Sequence, residues 1–138
     1  MTDQDIRARF DGKHRALHIT FGAKLTEDVY MQGYALMKNF IAANGPCSLI
    51  VDLSFVTEFG LSNEFVREIG GGGLAVPGAT LRLAVAPQPA IYSSGRMVET
   101  LRSEGSAPIK MVRTLDEAYA LVGAAAADFV AIDRGEIR

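Results

Sequence analysis

The sequence predicts an α/β fold with a mixed, mostly parallel five-stranded sheet, an antiparallel edge hairpin and about four helices. Residues 6–21 alternate apolar and polar residues around an Asp-Gly pair, which is typical of a hairpin with one buried face. The run "SLIVDL", from Ser48 to Leu53, is almost continuously apolar, as in a central strand that is covered on both faces. Helical and strand patterns then alternate, which favours parallel strands joined by helical crossovers.

The first helix is predicted directly after the hairpin, between two clear boundary signals. Thr26 is a typical N-cap, and Glu27 and Asp28 place negative charge near the positive end of the helix dipole. The sequence "NGP" at residues 44–46 ends the helix. Between these signals, apolar residues recur at helical spacing. They are Val29, Gly33, Leu36, Met37, Phe40 and Ile41.

Three further helices and two further strands follow the central strand. A second helix is expected to begin near Ser62 and to end at the glycines of residues 70–73. "LRLAVA" predicts a strand, and residues 90–105 predict a third helix. "IKMVR" is expected to be a short last strand. The fourth helix, "TLDEAYALVG", opens with Thr114 three residues before Glu117, which is the spacing of a capping box.

The length of 138 residues predicts one domain that spans residues 1–138. We expect a core of about residues 5–123 and a helical or irregular tail at residues 124–138. The apolar tail residues Phe129, Val130 and Ile132 have two interpretations, packing on their own chain or packing on a second copy. A homodimer is therefore one of the alternatives.

Composition excludes several classes of partner. Hydrophobic residues make up 49% of the chain, as in a globular protein, and the net charge of −2 favours neither nucleic acid nor anionic lipid. No apolar run reaches the length of about 18 residues that a membrane span needs. The segment "MTDQDIRARF" lacks the apolar core of a secretory signal, and Cys47 is the only cysteine. We expect a cytoplasmic protein.

The sequence shows no clear set of catalytic or metal-ligating residues, so neither a cofactor nor a metal is predicted. Glycines 70–73 follow a helix, whereas a phosphate-binding loop precedes one. His14 and His18 lie on or beside strands, where a separation of four residues is about 13 Å, so they are interpreted as ordinary hairpin residues. Asp52 is interpreted as a turn or cap residue. An enzyme that uses Asp52 with a serine is the least favoured alternative.

One segment, "VDLSFVTEFGLSNEF", resembles the signature of STAS domains, which are named for sulfate transporters and anti-sigma factor antagonists. Asp52, Leu53 and Val56 match the end of the central strand in that family, and Phe59 matches the apolar position before the next helix. "LRLAVAPQPAIYSSGRMVETL" and "MVRTLDEAYALVG" are similar to small stand-alone bacterial proteins of a STAS-like, CRAL-TRIO-related subgroup. The resemblance covers about residues 5–123 and implies the order β-β-α-β-α-β-α-β-α.

The match departs from the family at the start of the second helix. Gly60 and Leu61 stand where regulatory members have an aspartate and a phosphorylatable serine. Ser62 matches the next Ser/Thr position, and Asn63 replaces a glycine. A phosphorylation switch at Ser62 is therefore a minor alternative, and a helix cap is the simpler interpretation.

The expected binding site is the cleft beyond the carboxyl ends of the central strands, where open α/β sheets bind ligands. Polar side chains from the loops after two strands, and from the helices that follow them, should line it. They are Ser54, Thr57, Ser62, Asn63, Gln88, Tyr92, Ser93 and Arg96. The predicted function is a non-catalytic regulatory or ligand-binding module that engages an unknown protein partner or a small anion. The alternative is a carrier of a small apolar or anionic ligand, as the lipid-carrier-like resemblance implies.

Overall fold

The computed structural model describes residues 6–71, 73–101 and 107–132. Its strands are β1 (Ile6–Asp11), β2 (Ala16–Phe21), β3 (Lys24–Leu25), β4 (Cys47–Asp52), β5 (Glu58–Phe59), β6 (Ala79–Val85), β7 (Ile109–Val112) and β8 (Val130–Ala131). Its helices are α1 (Glu27–Asn44), α2 (Asn63–Gly71), α3 (Pro89–Arg96) and α4 (Leu115–Val122), and a 3-10 turn spans Ala126–Asp128. The predicted α/β class and the mixed, mostly parallel sheet are confirmed.

The main sheet has six strands in the order β7-β6-β4-β2-β1-β8. β2, β4, β6 and β7 are parallel, whereas β1 is antiparallel to both β2 and β8. The sequence predicted five strands with the hairpin at the edge. The sixth strand arises because the chain after α4 returns and pairs Val130 with Phe10. β3 and β5 form a separate two-stranded parallel sheet.

β4 is a central strand, as its apolar sequence predicts, and helices cover both faces of the sheet. Leu17, Ile19 and Leu49 belong to the core that α1, α2 and α3 cover. Ile50 and Leu83 belong to a second core on the opposite face, which α4 covers. Successive strand residues point to opposite faces, so both cores draw on the same strands.

Local sequence signals fix most helix ends. Thr26 caps α1 by accepting a hydrogen bond from the backbone N–H of Val29 (3.2 Å), and Gly45 ends that helix with a φ of +88°. Such a positive φ suits glycine, which lacks the Cβ atom that would clash. Thr114 caps α4 by accepting a hydrogen bond from the N–H of Glu117 (3.2 Å).

α3 ends at Arg96, so it is shorter than the helix predicted over residues 90–105. The carboxylate of Glu99 accepts a hydrogen bond from the backbone N–H of Met111 (2.6 Å) and pairs with Arg96 (2.8 Å). These contacts tie the chain after Arg96 to β7, and residues 97–100 form turns. Residues 102–106, where the predicted helix was to end, lie outside the described part of the chain.

The described part of the tail, residues 124–132, packs on its own chain. The predicted helical or irregular tail contains the short 3-10 turn and also β8. Phe129 is 5% exposed and stacks on Tyr119, with ring centroids 5.0 Å apart. Val130, by contrast, is 69% exposed. Residues 133–138 lie outside the described part.

No helix in the described ranges is both long enough and apolar enough to cross a membrane.

Candidate functional site

A tightly held loop, residues 53–57, follows β4 at the carboxyl edge of the sheet. Asp52 anchors it, because its Oδ1 atom accepts hydrogen bonds from the backbone N–H of Ser54 (2.9 Å) and from the Ser54 hydroxyl (2.5 Å). Aspartate side chains commonly stabilise such turns by accepting a hydrogen bond from the backbone two residues further along the chain. Leu53 and Val56 are buried, whereas the ring of Phe55 is 64% exposed. The loop therefore presents one aromatic side chain to solvent.

Gln88 holds the same loop from the start of α3. Its Nε2 atom donates hydrogen bonds to the carbonyl oxygens of Val56 (2.8 Å) and Leu53 (2.9 Å). Its Oε1 atom is buried and has no hydrogen-bond partner among the described residues. Thr57 is held from the other side, since its N–H donates to the carbonyl oxygen of Ala23 (2.8 Å). Three residues expected to line a binding cleft, Ser54, Thr57 and Gln88, thus fix the loop in place.

Ser62 and Asn63 are exposed where α2 begins. The hydroxyl oxygen of Ser62 accepts a hydrogen bond from the N–H of Phe65 (3.1 Å), which is helix capping. The same hydroxyl donates to the Oε2 atom of Glu27 in the first turn of α1 (3.2 Å). Ser62 therefore both caps α2 and links it to α1.

Tyr92, Ser93 and Arg96 lie on α3, and Arg113, which sequence reasoning missed, joins two of them. The guanidinium of Arg113 lies 4.3 Å from the ring centroid of Tyr92, and Arg96 lies 3.4 Å from its hydroxyl. A hydrogen bond from Arg96, together with hydrogen bonding from Arg113 and the charge of both arginines, lowers the pKa of the half-buried Tyr92. Arg113 directly follows β7, so its position at the end of a parallel strand was a signal available in the sequence. Ser93 is exposed beside this group.

A buried polar network lies under α4 and was also missed. The Nε2 atom of His18 lies 3.1 Å from the Oδ2 atom of Asp52, and its Nδ1 atom lies 3.2 Å from the hydroxyl of Tyr119. His18, Asp52 and Tyr119 are 3%, 2% and 6% exposed. His18 is more than an ordinary hairpin residue, because β2 is an interior strand and the face that carries His18 is also covered. The sequence did carry a signal, because the alternation along β2 places His18 on the face of the sheet opposite to Leu17 and Ile19.

The protonation of this network limits its chemistry. Burial alone would raise the pKa of Asp52, but hydrogen bonds from His18 and Ser54 outweigh it and hold the pKa below 3.8. Burial raises the pKa of Tyr119. Asp52 is therefore a carboxylate at neutral pH with little tendency to take a proton from Ser54, which a serine nucleophile would require.

A cluster of carboxylates with a histidine, and the thiol of Cys47, are two further groups that can take part in chemistry. Both have a structural explanation. Ligand atoms of Asp11, His14 and Asp128 lie within 4.8 Å of one another. The Oδ2 atom of Asp11 lies 2.6 Å from the Nδ1 atom of His14, and this contact closes the turn between β1 and β2. Burial raises the pKa of the Cys47 thiol to about 11, against the opposing charge of Arg15, so the thiol is unreactive.

A cavity of about 70 Å³ lies between the sheet and the helices α1, α2 and α3. It lies beneath the helices, whereas the expected cleft was above the strand ends. Most of its wall is apolar and includes Met37, Leu49, Val66, Ile69, Ile91 and Met111. Three residues with polar side chains also belong to the wall, Tyr30, Arg82 and Ser94. No sequence pattern predicts such a cavity, because it arises from how side chains on separate elements fit together.

Comparison of the chain with protein-family models, with curated proteins and with solved structures finds no match.

Proposed function

We propose that the protein is a non-catalytic binding module that holds a small apolar ligand in the cavity between the sheet and α1, α2 and α3. The observation that carries this proposal is the apolar wall around about 70 Å³ of space. Apolar cavities in proteins stay dry and bind apolar molecules, and one of about 150 Å³ accepts benzene. A ligand of a few carbon atoms fits the space without rearrangement of the wall.

The composition of the wall supports binding rather than catalysis. Among the described residues that line the cavity, none is an aspartate, glutamate, histidine or cysteine. Ser94 lines the cavity, but a serine acts as a nucleophile only beside a general base, and the described lining supplies none of these bases. The buried pair of His18 and Asp52 belongs to the opposite face of the sheet, under α4.

A STAS-like classification is also our proposal, and the element order supports it. A β-hairpin precedes strands that alternate with helices, and β4 ends at Asp52 directly before the loop that leads to α2. In this proposal the cavity takes the role of the ligand site in the lipid-carrier-like subgroup.

Methionine methyl groups provide a direct test, because the chain carries reporters inside and outside the cavity. Met37 and Met111 line the cavity, whereas Met31 and Met97 are 39% and 75% exposed. Protein labelled with ¹³C at its methionine methyl groups would be titrated with xenon, an apolar probe small enough for the space. We expect the Met37 and Met111 resonances to shift in a saturable manner while the Met31 and Met97 resonances stay in place. Equal shifts at all four would contradict the proposal.

A cavity-filling variant provides the matched control. Ala84 lines the cavity from β6, so Ala84→Leu places three more carbon atoms in the space. Ala35→Leu adds the same atoms to the exposed face of α1. We expect the first variant to abolish the xenon response of Met37 and Met111, and the second to leave it unchanged. A response that survives in Ala84→Leu would place the probe elsewhere.

A second candidate function, a surface for a regulatory protein partner, is favoured by the loop 53–57. Hydrogen bonds from Gln88 hold this loop rigid while Phe55 stays 64% exposed. Rigid, exposed aromatic residues are frequent anchors of protein interfaces. Affinity capture from the native host should recover a partner with the wild type and with Leu121→Ser, an exposed change on α4. Phe55→Ser should lose that partner, and equal capture by both variants would reject this surface.

A further inference from the structure

We infer that the ligand of the cavity is a small organic anion, an apolar body that carries a carboxylate, and that Arg82 binds the carboxylate. The inference rests on the proposed function, since it concerns the same cavity. It goes further by naming the chemical class of the ligand and the side chain that selects it.

Arg82 places a fixed positive charge in the wall of the cavity. It lies on β6 and is 4% exposed. Its Nη2 atom donates to the carbonyl oxygen of Ile69 near the end of α2 (2.6 Å), and its Nη1 atom donates to the carbonyl oxygen of Ala107 (3.3 Å). These bonds hold the guanidinium in one position between α2 and the segment before β7. A ligand therefore meets a cation that is already oriented.

The other polar groups of the wall also favour an oxygen acceptor. Burial raises the pKa of Tyr30 to about 12, although the charge of Arg82 opposes the shift, so its hydroxyl keeps its proton. Ser94 contributes a second hydroxyl. All three polar side chains of the described lining can donate a hydrogen bond, and none of them carries a negative charge. An anionic oxygen matches this set, whereas a cation does not.

The energetic balance favours the anion over a neutral molecule of the same shape. A ligand carboxylate loses its hydration on entry, which opposes binding. The guanidinium of Arg82 is already out of water in the folded chain, so its own desolvation is not repeated when a ligand binds. Hydrogen bonds between charged groups are about twice as strong as neutral ones, and charges interact more strongly in a low-dielectric interior. We expect a preference of at least ten-fold for the acid.

Propionate and propionamide test the preference, because they share shape and number of heavy atoms and differ in charge. Both would be titrated into the wild-type protein at pH 7 with the Met37 and Met111 methyl groups as reporters. A dissociation constant for propionate at least ten-fold below that for propionamide supports the inference. Equal or tighter binding of propionamide overturns it. If xenon shifts the reporters and neither compound does, the anion inference fails and the apolar-ligand proposal stands. If xenon also has no effect, both fail.

Variants at Arg82 separate its charge from its shape. Arg82→Met keeps an unbranched apolar stem without the charge, and we expect propionate binding to fall to the level of propionamide. Arg67→Met removes an exposed charge from α2 and should leave propionate binding unchanged. An equal loss in both variants would assign the effect to general surface charge and overturn the inference. If Arg82→Met does not fold, the comparison of propionate with propionamide in the wild-type protein still decides the question.

Discussion

The Nε2 atom of His18 lies 3.1 Å from the Oδ2 atom of Asp52, so a buried polar contact joins β2 to β4 in the middle of the sheet. Tyr119 extends the contact to α4, because its hydroxyl lies 3.2 Å from the Nδ1 atom of His18. Buried polar groups are costly when unpaired. The three residues therefore favour one docking position of α4, in which all of them have partners.

Asn in place of Asp52 should weaken the acid dependence of stability. The folded pKa of Asp52 lies below its ordinary value of 3.8, so the unfolded chain binds this proton more readily. The stabilisation is complete above pH 3.8 and is lost as the pH falls through the folded pKa. Asp52→Asn should cost about 1–3 kcal/mol at pH 7 and flatten the loss of stability as the pH falls below 3.8. Urea unfolding at each pH measures both.

Asp11 also has a lowered pKa, through bonds from His14 and Lys13 that outweigh its burial, so some acid dependence should persist in this variant. Asp11→Asn provides the comparison, since it removes the carboxylate in the turn between β1 and β2, whose pKa is also lowered. If stability depended on pH identically in Asp52→Asn and in the wild type, the contact between His18 and Asp52 would make no contribution to the acid dependence of stability.

Ala in place of Gly33 should destabilise the protein, although alanine is the better helix former. An added Cβ atom would lie 2.5 Å from the Cζ atom of Phe21, whose ring is fully buried and stacks on Tyr30. Overpacking costs about 1–3 kcal/mol, whereas the gain in helix propensity is about 1 kcal/mol. We expect a lower free energy of unfolding in thermal and urea melts.

Two further variants assign the cause. Ala35→Gly, at an exposed position of α1, should lose about 1 kcal/mol and measures the propensity effect alone. Phe21→Leu in the Gly33→Ala background should make the alanine less costly, because the ring is gone. A stabilising Gly33→Ala would show that Phe21 moves aside freely.

Ala in place of Gln88 should loosen the loop 53–57. The substitution removes a donor from the carbonyl oxygens of Leu53 and Val56. Leu53 keeps its bond from the N–H of Val56, whereas the carbonyl oxygen of the buried Val56 loses its Gln88 donor, at a cost of about 1–3 kcal/mol. Amide hydrogen exchange should accelerate at Val56, whose N–H bonds within the loop to Leu53. Ser93→Ala, an exposed change on α3, serves as the control. Unchanged exchange at Val56 would assign the order of the loop to Asp52 and Ala23 alone.

Asn and Asp in place of Ser62 should differ in stability because of Glu27. Both residues cap helices about equally well in general. The Oε2 atom of Glu27 lies 3.2 Å from the Ser62 hydroxyl, so a second carboxylate would be repelled there. Ser62→Asn should be close to the wild type, and Ser62→Asp should be less stable by up to about 1 kcal/mol in low salt. Glu27→Gln should remove the difference, and a difference that persists would contradict the repulsion.

Local signals predicted the parts of the fold that local chemistry determines. Thr26 and Gly45 bound α1 because capping requires only a few neighbouring residues, and the apolar run of β4 requires cover on both faces. β8 could not be predicted, because a strand of two residues carries no periodicity. The early end of α3 could not be predicted either, because Glu99, in the turns that follow, contacts Met111 on β7, which is distant in the sequence.

The candidate sites were predicted less completely for the same reason. Ser62 was predicted as a cap, and its capping bond confirms this interpretation. The contact between His18 and Asp52 depends on the register of β2 against β4, which no local pattern specifies. Arg82 appeared as one charged residue within an apolar strand, and its place in a cavity depends on α2 and β7.

The pairing of β8 with β1 brings the last described strand beside the first, with Ile132 donating a hydrogen bond to the carbonyl oxygen of Ala8 (2.9 Å). Forming this contact closes the chain between Phe10 and Val130 into one loop, and the entropic cost of closure grows with loop length. Synthesis must therefore pass Ile132 before the sheet acquires the strand at this edge. Until then, the backbone groups on the side of β1 that faces away from β2 lack their partner strand.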